Sequence, residues 1–159
     1  MALRVGLGYD IHAKTDGRTL KLGGVTFEGE KGLAGHSDAD VLLHAIGDAL
    51  LGALALGDLG QHFPPDDKRW KDASSLVLLG QIRAMLDGHG AKIVNVDATV
   101  VAETPRLVVR RNEMRVAIGQ ALRIGVKQVS VKATTSEQLG ALGRDEGIAA
   151  WAVAMVEVP

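Results

Sequence analysis

A chain of 159 residues fits one domain, over residues 1–159, and a domain of that size buries roughly 70% of its unfolded surface, so it needs no staple to hold a core. With 18 basic against 19 acidic residues and a net charge of −1, it has no basic field for nucleic acid and no polybasic membrane patch, so an anionic substrate must be met locally. The absence of cysteine removes disulfides and thiolate zinc patterns and suits a reducing cytoplasm; with no signal core and no apolar run of about eighteen residues, a cytoplasmic protein outside the membrane is expected.

Residues 3–12 alternate strictly, placing Leu3, Val5, Leu7, Tyr9 and Ile11 on one strand face and Arg4, Gly6, Gly8, Asp10 and His12 on the other. The two glycines read either as bare backbone that lets a substrate lie close or as a strand crossing or bulge. A turn is expected at 14–18, a short strand over 20–27 and a glycine-rich connection at 29–35. Residues 38–56 form the strongest helix pattern. Asp38 is placed to cap it, and Val41, Leu42, Ala45, Ile46, Ala49, Leu50, Ala53 and Leu54 make an apolar stripe. Asp40, His44 and Asp48 fall four apart on another stripe.

Gly57-Asp58-Leu59-Gly60 ends that helix, and 61–71, with Pro64 and Pro65, is expected to be a polar flap without regular structure. A second helix is expected over 74–87, a strand over 93–102, a third helix opened by Pro105 and running to 124, and strands over 128–135 and 148–158. Gly140, Gly143 and Gly147 punctuate a loop that carries Arg144 and Glu146. The order, roughly β-β-α-α-β-α-β-β, predicts the α+β class: a mixed sheet with helices packed on one face, not a doubly wound one.

Three groups of residues carry chemistry. Asp10 and His12, two apart on a strand, point the same way, and His44 from the helix would complete a set of three ligands. Three protein ligands leave a fourth tetrahedral position open, as a catalytic zinc site requires. An Asp-x-His alone is common, but a carboxylate at the end of an apolar strand is costly without a cation, and Asp40 and Asp48 share the His44 face as outer partners. Zinc leads on ligand type, with manganese and iron as alternatives. His36 and Ser37 precede the helix, where they either meet an anion or cap the helix. Lys132-Ala133-Thr134-Thr135-Ser136-Glu137 sets a lysine, hydroxyls and a carboxylate at a strand end, suited to phosphate oxygens and a divalent cation, and Arg144 adds a guanidinium.

Several ordered blocks together carry a more specific signal. Gly8-Tyr9-Asp10-Ile11-His12, His36-Ser37-Asp38-Ala39-Asp40-Val41 through His44, Leu56-Gly57-Asp58-Leu59-Gly60, Asn95-Val96-Asp97, the 132–137 block, and Leu139-Gly140 through Gly143-Arg144-Asp145-Glu146-Gly147-Ile148 resemble, nearly end to end, the 2-C-methyl-D-erythritol 2,4-cyclodiphosphate synthases. The resemblance implies a homotrimer with active sites between subunits. It also implies a cyclisation in which the 2-phosphate of 4-diphosphocytidyl-2-C-methyl-D-erythritol 2-phosphate attacks the β-phosphorus and expels CMP.

Carried over by position, Asp10, His12 and His44 would hold zinc, and Glu137 would help hold magnesium or manganese. Asp10, His12, His36, Ser37, Asp58, Gly60 and Asp67 of the flap would meet the methylerythritol phosphate end. Ala102, Pro105, Arg106, Leu107, Thr134, Thr135, Glu137 and Arg144 would meet the cytidine diphosphate end, and His36 and Thr135 would stabilise the transition state. The flap and four further positions depart from the family pattern. The flap reads Phe63-Pro64-Pro65-Asp66-Asp67 where Phe-Pro-Asp-Thr-Asp is usual, which leaves open whether Asp66 or Asp67 meets substrate. Arg106 and Gln138 replace frequent lysines, and Ala141 stands where an aromatic is common. Asp145 replaces glycine, where it would pair with Arg144 and weaken its reach to phosphate. From the residues alone, a metal-dependent phosphodiesterase and a nucleotide-binding regulator remain as rival readings.

Overall fold

The computed structural model describes residues 1–159. Its spine is β1, Ala2–Leu22, which pairs antiparallel with β2, Val25–Leu33, on one side and with β5, Gly147–Val158, on the other. β3, Lys92–Val101, pairs antiparallel with β5 and parallel with β4, Val129–Thr134, giving the order β2-β1-β5-β3-β4. The sheet is therefore mixed, as the element order predicts. β1 is longer than expected. The turn expected at 14–18 is a bulge within a continuous strand, with the register shifting between Thr15 and Thr19, and the chain reverses instead at Gly23-Gly24. Both glycines have positive φ, 59° and 77°, the left-handed pair that a two-residue hairpin turn demands.

α1, Val41–Ala53, lies across β1 and β5. Ten of its thirteen residues are buried, so it is enclosed nearly all round, beyond the predicted stripe. Its close approach explains Gly6 and Gly8. A Cβ at Gly6 would sit 1.8 Å from the Ala49 carbonyl oxygen, and one at Gly8 1.8 Å from that of Ala45. The bare backbone is a bed for the helix, neither a substrate track nor a bulge. The cap of α1 is Asp40, not Asp38. One Asp40 oxygen accepts from Leu43 N (3.1 Å) and Gly23 N (2.9 Å), and the other from Gly24 N (2.7 Å). One buried carboxylate thus pins the helix start to the hairpin turn, satisfying orphan amides at both.

The segment expected to lack regular structure contains a helical turn, α2, Leu59–His62, capped by Asp58, and a 3-10 turn, Lys68–Trp70, capped by Asp67. Phe63 is buried and meets Trp70 edge-on, ring centroids 5.0 Å apart, so an apolar contact anchors the segment on both sides of its prolines. α3, Ser75–Gly88, packs on α1 and on α4, Arg111–Leu122, which covers β4. Pro105 does not open α4: Arg106 is still extended, and a 3-10 turn, Leu107–Arg110, intervenes. A single turn, α5, Gly140–Gly143, precedes β5. The helices cover one face of the sheet. On the other, Leu3, Val5, Leu7, Tyr9 and Ile11 of β1 and Trp151 and Val153 of β5 are between 40% and 68% exposed. No helix is long and apolar enough to cross a membrane.

Candidate active site

Asp10 and His12 project from β1 toward α1, and His44 comes down from its second turn to meet them. His12 Nε2 lies 2.8 Å and His44 Nδ1 3.0 Å from the same Asp10 oxygen, Oδ2, and the two nitrogens are 3.3 Å apart. Tetrahedral zinc with bonds of about 2.0–2.1 Å would hold its ligand atoms about 3.3 Å from one another, so the spacing fits a cation between them.

The hydrogen-bond partners of each ring assign which atoms are free to bind. His12 Nδ1 donates to the Ala34 carbonyl at 2.6 Å, which leaves Nε2 with its lone pair. Ser75 Oγ donates to Asp38 Oδ1, so it can only accept from His44 Nε2, 3.0 Å away; Ser37 Oγ lies 3.1 Å from the same nitrogen. His44 Nδ1 therefore also presents a lone pair. Two imidazole lone pairs and a carboxylate meet at one point with no hydrogen between the neutral rings, a donor set that only a cation or added protons can reconcile.

The electrostatics agree. Burial alone would raise the Asp10 carboxyl, but hydrogen bonds and charge from His12 and His44 outweigh it and hold Asp10 at about 2. Burial would lower His12, yet Asp10 and the Ala34 carbonyl outweigh that and raise it.

The outer partners differ from those expected. Asp40 faces the hairpin turn, and Asp48 accepts from Leu59 N at 2.8 Å; neither orients His44. Ser75 and Ser37 do, with Asp38 behind Ser75. Ser75 arrives from α3, 31 residues from His44, and a serine at a helix start gives no sequence signal of such a partner.

The three ligand side chains open into a cavity of about 490 Å³ that His36, Ser37, Asp48, Asp58, Gly60, Phe63 and Trp70 also line. His36, Ser37, Asp58 and Gly60 thus join the metal cluster, as the sequence predicts. Asp67 does not line it. Its carboxylate forks onto Arg69, with Oδ2 2.6 Å from Nη2.

Ala102, Pro105, Arg106, Leu107, Thr134, Thr135, Glu137 and Arg144 also lie outside this cavity. They gather where β3 and β4 end, Val101 pairing with Thr134. Those strand ends lie at the same end of the sheet as the metal cluster: Asp10 pairs with Ala150, and Ala150 with Val100. Ala102 and Leu107 are buried. The Glu137 amide donates to Thr135 Oγ1 at 3.1 Å, and Glu103, which the sequence did not single out, accepts from Ser136 N at 2.9 Å. Asp145 does not pair with Arg144. Arg144 Nε bonds Glu146 at 2.7 Å, and Asp145 bonds Lys14.

The model of the YgbB family matches residues 3–157. The chain belongs to that family. It is 56% identical over 155 residues to the 2-C-methyl-D-erythritol 2,4-cyclodiphosphate synthase of Syntrophomonas wolfei, covering 98% of this chain and 99% of the other. The synthase of Moorella thermoacetica is 53% identical, over 97% of this chain and 94% of its own. Among solved structures, the bifunctional IspDF of Campylobacter jejuni superposes with a TM-score of 0.95 at 37% identity, over 99% of this chain and 43% of that one. A CDP complex of IspF from Plasmodium falciparum superposes with a TM-score of 0.85 at 34% identity, over 99% and 97%. The YgbB chain described here is accordingly an enzyme, a cyclising phosphorus–oxygen lyase.

Proposed function

We propose that this chain converts 4-diphosphocytidyl-2-C-methyl-D-erythritol 2-phosphate to 2-C-methyl-D-erythritol 2,4-cyclodiphosphate with release of CMP, in the cytoplasm and as a homotrimer. The observation that carries this reading is the convergence of Asp10, His12 and His44, whose free lone pairs share one point at the floor of the cavity. These residues would hold zinc, and Glu137 would help hold magnesium or manganese; bound there, the cations would withdraw charge from the phosphates.

A phosphate nucleophile is already ionised near neutral pH, its second pKa being about 6. The chain's own groups therefore need not remove a proton. Their work is to bring two anions together and hold them in line, a contribution of proximity and electrostatics. His36 and Ser37, which line the cavity, and the Asp58–Gly60 segment, fixed by its bond to Asp48, would seat the methylerythritol phosphate, with His36 and Thr135 facing the charge that develops. The cytidine diphosphate end falls to the loops at the ends of β3 and β4.

Because those loops lie outside the cavity of their own chain, a neighbouring copy supplies them in this reading. The exposed apolar face of β1 and β5 is the surface that three copies would bury. Incubation with the cytidylated substrate and magnesium should release CMP and form the cyclic diphosphate without solvent oxygen-18 in the product. Open-chain product carrying the label would make the enzyme a hydrolase. Anomalous scattering at the zinc edge tests the metal, and Leu7→Asp should abolish the trimer, read as a particle mass equal to one chain.

A further inference from the structure

Lys14 follows His12 by two residues on β1, yet its side chain turns away from the metal cluster. It is only 7% exposed, which is unusual for a lysine. Its ammonium lies 3.0 Å from the Thr104 carbonyl, 2.7 Å from Thr104 Oγ1 and 2.6 Å from Asp145 Oδ1, so all three donors have acceptors. Thr104 Oγ1 donates in turn to Asp145 Oδ2 at 2.8 Å, which closes the ring and engages both carboxylate oxygens. Asp145 holds a left-handed φ of 60°, a conformation that L side chains disfavour, and its bonds to Lys14 and Thr104 keep it there. Burial would raise its carboxyl, but Lys14 and Thr104 outweigh burial and lower it.

Three segments distant in sequence meet in this ring. Thr104 immediately precedes Pro105 and Arg106, and Asp145 immediately follows Arg144. The ring therefore fixes the root of both segments assigned to the cytidine diphosphate end, and anchors them to the strand that carries two metal ligands. We propose that Lys14, Thr104 and Asp145 form a clamp that sets the distance between the Arg106 loop and the Arg144 loop for a nucleoside diphosphate, with Lys14 and Asp145 as positioning residues. The clamp rests on the nucleotide assignment given under Proposed function.

The test is the full-length Lys14→Met/Asp145→Gly double variant. It removes both charges together, so no ion is left buried alone, and it replaces the left-handed aspartate by the residue that suits that conformation. CDP affinity by calorimetry with magnesium present, steady-state kinetics, zinc content and melting temperature are read together. Expected are a CDP dissociation constant and a KM raised about tenfold, the effect of losing one charge-assisted contact, with kcat, zinc content and melting temperature unchanged. A CDP affinity within twofold of the parent overturns the clamp, as does a loss that comes with lower zinc content and melting temperature. If the double variant does not fold, Thr104→Val should raise the constant about threefold, and unchanged affinity overturns the proposal equally. A parent protein that binds no CDP defeats the nucleotide assignment itself, an outcome distinct from a parent that binds CDP and a variant that binds it as well.

Discussion

The metal corner and the nucleotide loops are built by different means. Asp10, His12 and His44 stand on a strand and a helix pressed together through Gly6 and Gly8, and each imidazole has its second nitrogen tied to a fixed acceptor. The corner is assembled by the core of a single chain. The loops at 102–107, 134–138 and 144–146 stand clear of that cavity and are held by side chains reaching to backbone: Glu103 to the Ser136 amide, Lys14 to the Thr104 carbonyl. Rigidity is thus placed where two lone pairs and a carboxylate must share one cation. The nucleotide side is stitched in outline and, in the reading proposed, completed by an adjoining copy.

The contrast can be broken most sharply at the corner. Asp10→Asn and His44→Ala should each lower turnover by at least about a thousandfold, because metal and reacting phosphates share the same point. Zinc content measured on the purified variants should fall in parallel, and CDP binding should persist. Variants that lose CDP affinity as fully as turnover would show that the two regions are one unit.

Gly8→Ala comes next. A Cβ placed 1.8 Å from a helix backbone carbonyl cannot be absorbed by a rotamer change, so α1 must lift from β1. Overpacking of this kind costs about 3 kcal/mol or more, read as a drop in denaturation midpoint. Since α1 carries His44, zinc should be lost with it. Unaltered stability would mean that the helix has slack that the geometry does not show.

Much of the corner was legible from the sequence, and for a local reason. A strand of period two puts Asp10 and His12 on one face whatever lies around it, and His44 sits inside the most apolar helix of the chain. The sheet class followed from element order. What the sequence did not disclose was set by contacts distant along the chain. Gly6 and Gly8 read as a track for substrate or as a strand crossing or bulge, because the carbonyls of Ala45 and Ala49 that fill the space belong to another element. Asp38 looked like the helix cap, but Asp40 takes that part because the Gly23 and Gly24 amides also need an acceptor, and Asp38 is left to hold Ser75. Asp145 was expected to pair with its neighbour Arg144, yet Lys14, 131 residues away, bonds it instead. The loop ends of β3 and β4 gave a weaker signal: the 132–137 block suited phosphate and a cation, but hydroxyls in a strand are also ordinary β-formers, and only the family resemblance assigned these loops to the cytidine diphosphate end.

Ser75→Ala probes how far the corner depends on its outer partners. The hydroxyl that accepts from His44 Nε2 would be gone, and Asp38 would lose the hydroxyl donor while keeping the Ser75 amide at 3.0 Å. Ser37 Oγ would remain as the one acceptor for His44. Loss of such a partner weakens metal binding by about 10- to 100-fold, which a competition titration with a chelator measures. Ser75→Thr, which keeps the hydroxyl, should recover most of it.

Glu103→Ala is the mildest change and the cleanest separator of the two regions. One oxygen of this carboxylate, Oε1, accepts from the Ser136 amide at 2.9 Å and from the Gln138 amide at 3.3 Å, and so sets the curvature of the segment that carries Thr135 and Glu137. Glu137 and Gln138 both have positive φ, 50° and 61°, a conformation that residues with side chains adopt only when the surroundings hold them there. Removing the acceptor frees the amides to bind water, since Gln138 is exposed and Ser136 partly so, and therefore leaves no buried donor unsatisfied. The cost then falls on loop order, not on stability. CDP affinity should weaken about three- to tenfold, near 1 kcal/mol, with a melting temperature close to that of the parent. Glu103→Gln retains an oxygen acceptor without the charge, so it should lie between the two. Zinc content unchanged in both variants is the decisive reading: strand and helix hold the corner, and the Lys14 ring that ties Thr104 and Asp145 to β1 is left intact, so zinc loss on changing Glu103 would mean that the 134–138 loop itself supports the metal site.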